Sequence, residues 1–257
     1  MAYAAATAAT LGLRCGLVTR AAATAPAAVA AGCAAHVVTG WQTTTFGIRY
    51  GAEGERQLRV LARAPDMRPD DIPGPWRRVG VLHVAPVLAE VGAEAVQDVV
   101  ADFVGVTAQG WLRRTDHRGR VRATAGPVPE GLLSRADAVV VSDEDLAAWS
   151  DWRQVLPGRV RLLVVTLGER GAVAYAGGRA LWQPGFAARL TDATGAGDSA
   201  AAALFVALWQ GLDLEAALRF AMAAGAFAVE TRGPRGVPGR QAVLERARWG
   251  ARVPPPD

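Results

Sequence analysis

The chain contains no lysine and no asparagine, so all 28 of its basic residues are arginines. Both missing residues use codons beginning AA, which is the mark of a GC-rich genome. The missing lysine excludes a P-loop, whose lysine reaches the phosphates, and excludes Schiff-base chemistry. The missing asparagine excludes N-glycosylation. Cysteine is scarce. Cys15 and Cys33 show no metal or redox spacing, which points to a reducing cytoplasm and two small core residues. No apolar run reaches the roughly 18–20 residues of a membrane span. The alanine-rich Ala21–Ala31 is broken by Thr24 and Pro26, and the opening Met1-Ala-Tyr-Ala lacks the basic-then-apolar order of a signal peptide. No membrane partner is expected. Nor is nucleic acid: the net charge is only +4, and Asp116 interrupts the densest basic cluster, Arg113-Arg114 with Arg118–Arg122. The eight tryptophans are dispersed and read as packing. Of the three histidines, His36 and His83 lie in apolar runs and His117 in a charged turn, so none stands out as a ligand.

What is present suffices for a large core. The 257 residues are 51% hydrophobic and 20% charged, and they read as a single domain over 1–257 with a disordered tail at 250–257. Elements alternate along the chain. A helix over Ala2–Leu11 stops at Gly12, and a short strand follows at Cys15–Thr19. Thr43–Tyr50 and Arg56–Ala62, joined through Gly51–Gly54, predict a β-hairpin. Pro65–Trp76 is a proline-rich loop. Apolar runs at Val79–Val84, Val104–Thr107, Ala136–Val141 and Arg161–Thr166 predict buried strands, and about Glu90 to Phe103 a helix. Ala172–Ala176 continues the sheet after a turn at Gly168–Gly171. Helices are predicted over Gly197–Gln210, Leu214–Glu230 and Arg240–Trp249. Continuous apolar strands separated by helices argue for an α/β fold whose mostly parallel sheet is covered on both faces.

The most informative stretch is Thr191-Asp192-Ala193-Thr194-Gly195-Ala196-Gly197-Asp198-Ser199. Two glycines one residue apart mark a turn where the backbone comes close to something. A helix starts at once, and its free N–H groups make an anion site. Asp198 stands in the first turn beside that anion, placed to take a proton from an attacking hydroxyl; by itself it is also an ordinary acidic helix start. Upstream, Val165-Thr166-Leu167-Gly168-Glu169-Arg170-Gly171 is a strand ending in a glycine-flanked turn, the place where α/β folds bind nucleotides.

On these residues the sequence resembles the ribokinase/PfkB family of carbohydrate kinases. The family signature Asp-Thr-x-Gly-Ala-Gly-Asp is matched by Asp192 to Asp198, and its Thr-x-Gly-x-x-Gly by Thr166 to Gly171. The resemblance covers nearly the whole chain. It implies a ribokinase-like three-layer α/β/α sandwich with a small β-hairpin lid. It also implies a kinase that moves the γ-phosphate of ATP to a hydroxyl of a sugar or cyclitol. Asp198 would be the general base, and the N–H groups of Gly195, Ala196 and Gly197 the anion hole. Thr166, Gly168, Gly171 and Thr194 would lie along the nucleotide, with Met222 and Gly225 on the adenine side. Ala221–Gly236 looks like the helix and loop beside the adenine and a monovalent-cation site such as K⁺. Thr43–Phe46 with Gln109–Arg113 looks like a branch that includes inositol kinases, which makes Gln109 and Arg113 candidates for acceptor binding. Mg²⁺ would bridge phosphate oxygens, mostly through water. A homodimer is the assembly expected. A nucleoside kinase of the same family, or a non-catalytic nucleotide- or sugar-binding relative, are the competing readings.

Three departures from the family pattern stand out. The family's Asn-x-x-Glu is here Ser142-Asp143-Glu144-Asp145, so Asp145 either holds Mg²⁺-bound water or belongs to an N-capped acidic helix start. Met222 stands where the family often has asparagine. The opening Met1-Ala-Tyr-Ala looks like the inside of the family's first helix, without its first strand, its substrate-binding aspartate or its Gly-Gly. The expectation is a start assigned too late or a shortened chain.

Overall fold

The computed structural model of the protein describes residues 1–23, 32–50, 56–126 and 128–253. The turn expected at Gly51–Gly54 and most of the alanine-rich run, 24–31, lie outside these residues, as does Pro254–Pro256.

Helix α1 (Ala2–Thr10) leads into β1 (Cys15–Ala22), which pairs in parallel with β2 (Cys33–Gly40) as a separate two-stranded sheet. Strands β3 (Thr45–Tyr50) and β4 (Arg56–Ala62) form the expected antiparallel pair. The central sheet is built from β5 (Arg78–Val84), β6 (Val100–Thr107), β9 (Ala138–Ser142), β10 (Leu163–Thr166), β11 (Ala172–Ala176) and β12 (Arg179–Gln183). Its order is β12-β11-β10-β9-β6-β5; the four strands from β5 to β10 are parallel and the last two antiparallel. Between β6 and β9 the short pair β7 (Arg113–Thr115) and β8 (Val121–Ala123) stands aside.

Helices α5 (Ala196–Trp209), α6 (Leu214–Ala228) and α7 (Arg240–Trp249) contribute the core on one face of the sheet, where Phe205, Leu204, Leu218 and Phe220 are buried. The core on the other face takes in the one-turn helices α2 (Glu130–Leu133), α3 (Asp143–Leu146) and α4 (Trp152–Val155), with Trp111, Leu132, Leu133, Leu146 and Trp152. The buried apolar runs therefore became the parallel strands, as strands covered on both faces must be. Two strand glycines let α5 settle. A Cβ at Gly105 would fall into the ring of Phe205, and one at Gly80 into the indole of Trp209. Among the described residues no helix is long and apolar enough to cross a membrane.

Three expectations are corrected. Glu90 to Phe103 is not a helix: it holds only a 3₁₀ turn at Glu94–Val96 before β6 begins at Val100. Just before this stretch, Ala89 stands in the left-handed region at φ 55°, and the buried Glu90 carboxylate accepts the backbone N–H groups of Val87 at 2.8 Å and Leu88 at 2.6 Å. Second, β2 was not predicted; its alanine-rich, largely exposed surface carries no alternating pattern. Third, the tail does not lose order at 250. Ala187 N–H donates to Ala251 O at 2.8 Å and Val253 N–H to Gly185 O at 3.0 Å, which ties this segment to the strand-like Phe186.

Candidate active site

The carboxyl ends of the parallel strands lead into Gln109 after β6, Asp145 after β9 and Thr166 with Gly168 at the end of β10. This is the edge where open α/β sheets bind ligands. Thr166 ends β10 and is in register with Ser142 at the end of β9. The Thr166 hydroxyl donates to Val141 O at 3.4 Å. Gly168 opens the turn after β10 with φ of 63° and open space where a side chain would stand. Gly171 closes it with φ of 98°, pressed against the backbone at Gln183.

The second element is the turn into α5. Asp192 Oδ1 accepts the Thr194 N–H at 2.9 Å, and the N–H groups of Thr191 and Asp192 donate to Val229 O at 2.8 and 3.1 Å. The loop is thus fastened to the end of α6. Gly195 is the N-cap, in the left-handed region at φ 80°. Ala196 N–H turns back onto Ala193 O at 3.3 Å. The N–H groups of Gly197 and Asp198 belong to the first turn, which has no partners within the helix. Space around Gly197 is open. Asp198 sits in that turn with its side chain 27% exposed, and the Met1 amino group lies 3.1 Å from its Oδ2.

The close approach read from the paired glycines is real, and at Gly195 it is made by a side chain. A Cβ there would fall into the ring of Tyr3, carried by α1. Burial raises the Tyr3 phenol above its ordinary value, and the nearby negative charges of Asp192 and Asp198 raise it further. The sequence reading passed over Tyr3. The available signal was that it is the one large side chain in the otherwise small-residue helix Ala2–Thr10.

His83 was also passed over as a packing residue. Its Nε2 lies 2.7 Å from Thr107 Oγ1, and its ring meets Phe205 edge-on with centroids 4.9 Å apart. Burial pushes its pKa down to about 4, against the upward pull of Asp198 and with a further downward push from the amino terminus.

The third element is a clamp. Asp145 is buried at the start of α3. Its Oδ1 takes Arg113 Nε at 3.2 Å, and its Oδ2 takes Ser142 Oγ at 2.6 Å and Gln109 Nε2 at 3.3 Å. Ser142 in return accepts the Asp145 N–H at 3.1 Å as the helix cap. The structure therefore joins the two candidate acceptor-binding residues to the candidate metal residue, from positions 36 and 32 residues apart. With both oxygens in use, Asp145 does not fit as a ready metal ligand. Among the described residues no group of three or more His, Cys, Asp or Glu side chains could hold an ion.

Gly225 lies beside the second of these elements, within ordinary contact of the Ala196 carbonyl, and Met222 does not join any of the three. Gly225 faces Ala200 of α5 with room for ordinary contact, and Met222 is buried in the core between helices and sheet rather than on an open surface.

Residues 92–239 match the family model described as pfkB family carbohydrate kinase. The ribokinase of Bacillus subtilis is 43% identical over 84 residues, which is 32% of this chain and 29% of that protein. The chain thus aligns with less than a third of that curated relative's length. A structure of Arabidopsis thaliana ribokinase complexed with ribose and ATP superposes with a TM-score of 0.70 at 22% identity, covering 96% of this chain and 86% of that one. A pyrophosphate-dependent kinase in the ribokinase family, complexed with a pyrophosphate analogue and myo-inositol, gives 0.76 at 19% identity, covering 95% and 89%. At these identities the neighbours show the fold, which is ribokinase-like.

Proposed function

The chain belongs to the pfkB family of carbohydrate kinases, and from that premise we propose that it moves the γ-phosphoryl group of ATP to a hydroxyl of a sugar or cyclitol. The observation that carries this reading is Asp198, half-exposed in the first turn of α5 beside the open backbone at Gly197. A carboxylate is favoured at the positive end of a helix in any case, and in this reading it also takes a proton next to an anion.

In this reading Asp198 accepts the proton of the acceptor hydroxyl as its oxygen attacks the γ-phosphorus. The bond from that phosphorus to the bridging oxygen breaks, and ADP leaves. The first-turn N–H groups around Gly197 receive the charge that develops on the transferred group, which is fixed dipole stabilisation that costs no reorganisation. Thr166 and the Gly168 turn border the donor. Gln109 and Arg113, held by Asp145, are the side chains offered to the acceptor's hydroxyls. Bound Mg²⁺ would supply charge neutralisation on the phosphates. Among the described residues no cluster builds a site for it, and Asp145 is spent on Arg113, Gln109 and Ser142.

The test is ADP release with Mg-ATP against pooled pentoses, hexoses, inositols and nucleosides, with Asp198→Asn as blank. Release above the blank in a sugar or inositol pool supports the reading. Release only with nucleosides moves the acceptor class, and nucleotide binding without release in any pool replaces the kinase with a binding protein. Because one neighbour of this fold uses pyrophosphate, a parallel arm replaces ATP with pyrophosphate and reads phosphate release.

A further inference from the structure

We infer that Tyr3 is a wall of the catalytic pocket that keeps water away from the space between Asp198 and the first turn of α5, so that the base meets an acceptor hydroxyl instead. The inference rests on the kinase reading above and extends it to a residue on another element.

The geometry is specific. The Tyr3 ring lies against the Gly195 Cα, so closely that any side chain at 195 would enter it. Gly195 carries the left-handed turn that opens α5, three residues before the base. On the Gly197 side of the same turn the space is open. One flank of the turn is thus sealed by an aromatic ring and the other left for a ligand. The helix that carries the ring packs on α5 itself, and its buried face is alanine and threonine, so the two backbones can come close. Within Ala2–Thr10 only Tyr3 is large enough to reach over the turn. The phenol lies within the electrostatic reach of both Asp192 and Asp198 and stays protonated. A neutral, rigid ring is suited to a wall beside a carboxylate, because it adds bulk without a competing charge.

Water is the rival acceptor. When water reaches the pocket, its oxygen attacks the γ-phosphorus, its proton goes to Asp198, the bond to the ADP oxygen breaks, and inorganic phosphate is released. Excluding water from a phosphoryl-transfer site suppresses this side reaction.

The experiment measures, for one acceptor that the wild-type protein phosphorylates, the ratio of inorganic phosphate released to phosphorylated product. Tyr3→Ala should raise that ratio about tenfold while lowering transfer about tenfold, and Tyr3→Phe, which keeps the ring, should stay within about twofold of wild type. Tyr3→Leu, narrower than the ring but still apolar, should raise the ratio about threefold and serves if Tyr3→Ala does not fold. Circular dichroism confirms folding in each case. A merely structural Tyr3 would lower both rates together and leave the ratio unchanged; that result overturns the inference and leaves the kinase reading standing. A wild-type protein that phosphorylates none of the pooled acceptors overturns both.

Discussion

Two aspartates stand at the carboxyl edge of the sheet, and they are opposites. Asp145 is buried, and both its oxygens are taken up by an arginine, a glutamine and a serine. Asp198 is partly exposed, and its Oδ2 accepts a hydrogen bond from the amino group of Met1. Both sit in the first turn of a helix, where the local field favours a negative charge. What separates them is what surrounds the turn. Around Asp145 the turn after β6, the start of β7 and the end of β9 supply Gln109, Arg113 and Ser142, and the charge holds them in place. Around Asp198 the neighbours are glycine, alanine, an aromatic ring and the Met1 amino group, which bonds one of its two oxygens. A carboxylate whose lone pairs are all committed can hold its neighbours in place, whereas one that is to accept a proton must keep an oxygen free.

This contrast can be broken by exchanging the roles. Asp198→Asn keeps the size and removes the base, and should lower kcat/KM by about a thousandfold with nucleotide binding retained. Steady-state kinetics beside a nucleotide titration check it, and unchanged turnover would end the assignment of Asp198. Asp145→Ala should act on stability instead. It removes the buried carboxylate from the clamp on Arg113, Gln109 and Ser142, and urea unfolding should show a loss of about 3 kcal/mol. A variant as stable as wild type would mean that the clamp is not formed in solution. Ser142→Ala sharpens the comparison. It removes the helix cap and one of the clamp's donors while leaving Arg113 paired, so about 1 kcal/mol should be lost in the same measurement.

An effect confined to acid pH concerns His83. The folded protein keeps it neutral down to about pH 4, against an ordinary value of 6.5, chiefly because it is buried. The unfolded chain takes up that proton from about pH 6.5 downward, so His83 costs the folded state stability as pH falls from 6.5 towards 4. His83→Gln should flatten the fall in Tm across that window. Equal slopes in the two proteins would show that His83 is not held neutral.

Much of this was readable along the chain because it is local. The turn Gly195–Asp198 and the helix after it, the cap Ser142 with Asp145, and the apolar strands β9 and β10 all involve residues within a few positions of one another. The helix expected from Glu90 is absent, and the left-handed backbone of Ala89 just before it is something periodicity does not record. The clamp and the Tyr3–Gly195 contact were hidden for another reason. Each joins residues brought together only by the topology of the sheet and the packing of α1 on α5, and neither leaves a spacing signature. Gly195 did announce a close approach, but the partner is 192 positions away.

The seats of Phe205 and Trp209 in Gly105 and Gly80 carry a consequence for anyone who would engineer this protein. They act as two alignment pins on one shaft. Phe205 lies seven residues beyond Asp198, about 10 Å along the helix, so the pins fix where the far end of that shaft presents its carboxylate. Replacing strand glycines with alanine is a common way to stiffen a chain. At Gly80 or Gly105 it would lift α5 from its bearing, and a displacement of about 1 Å at a reacting centre can cost a hundredfold in rate. The reaction's tolerance is therefore set partly by two methyl groups that these strands do not have.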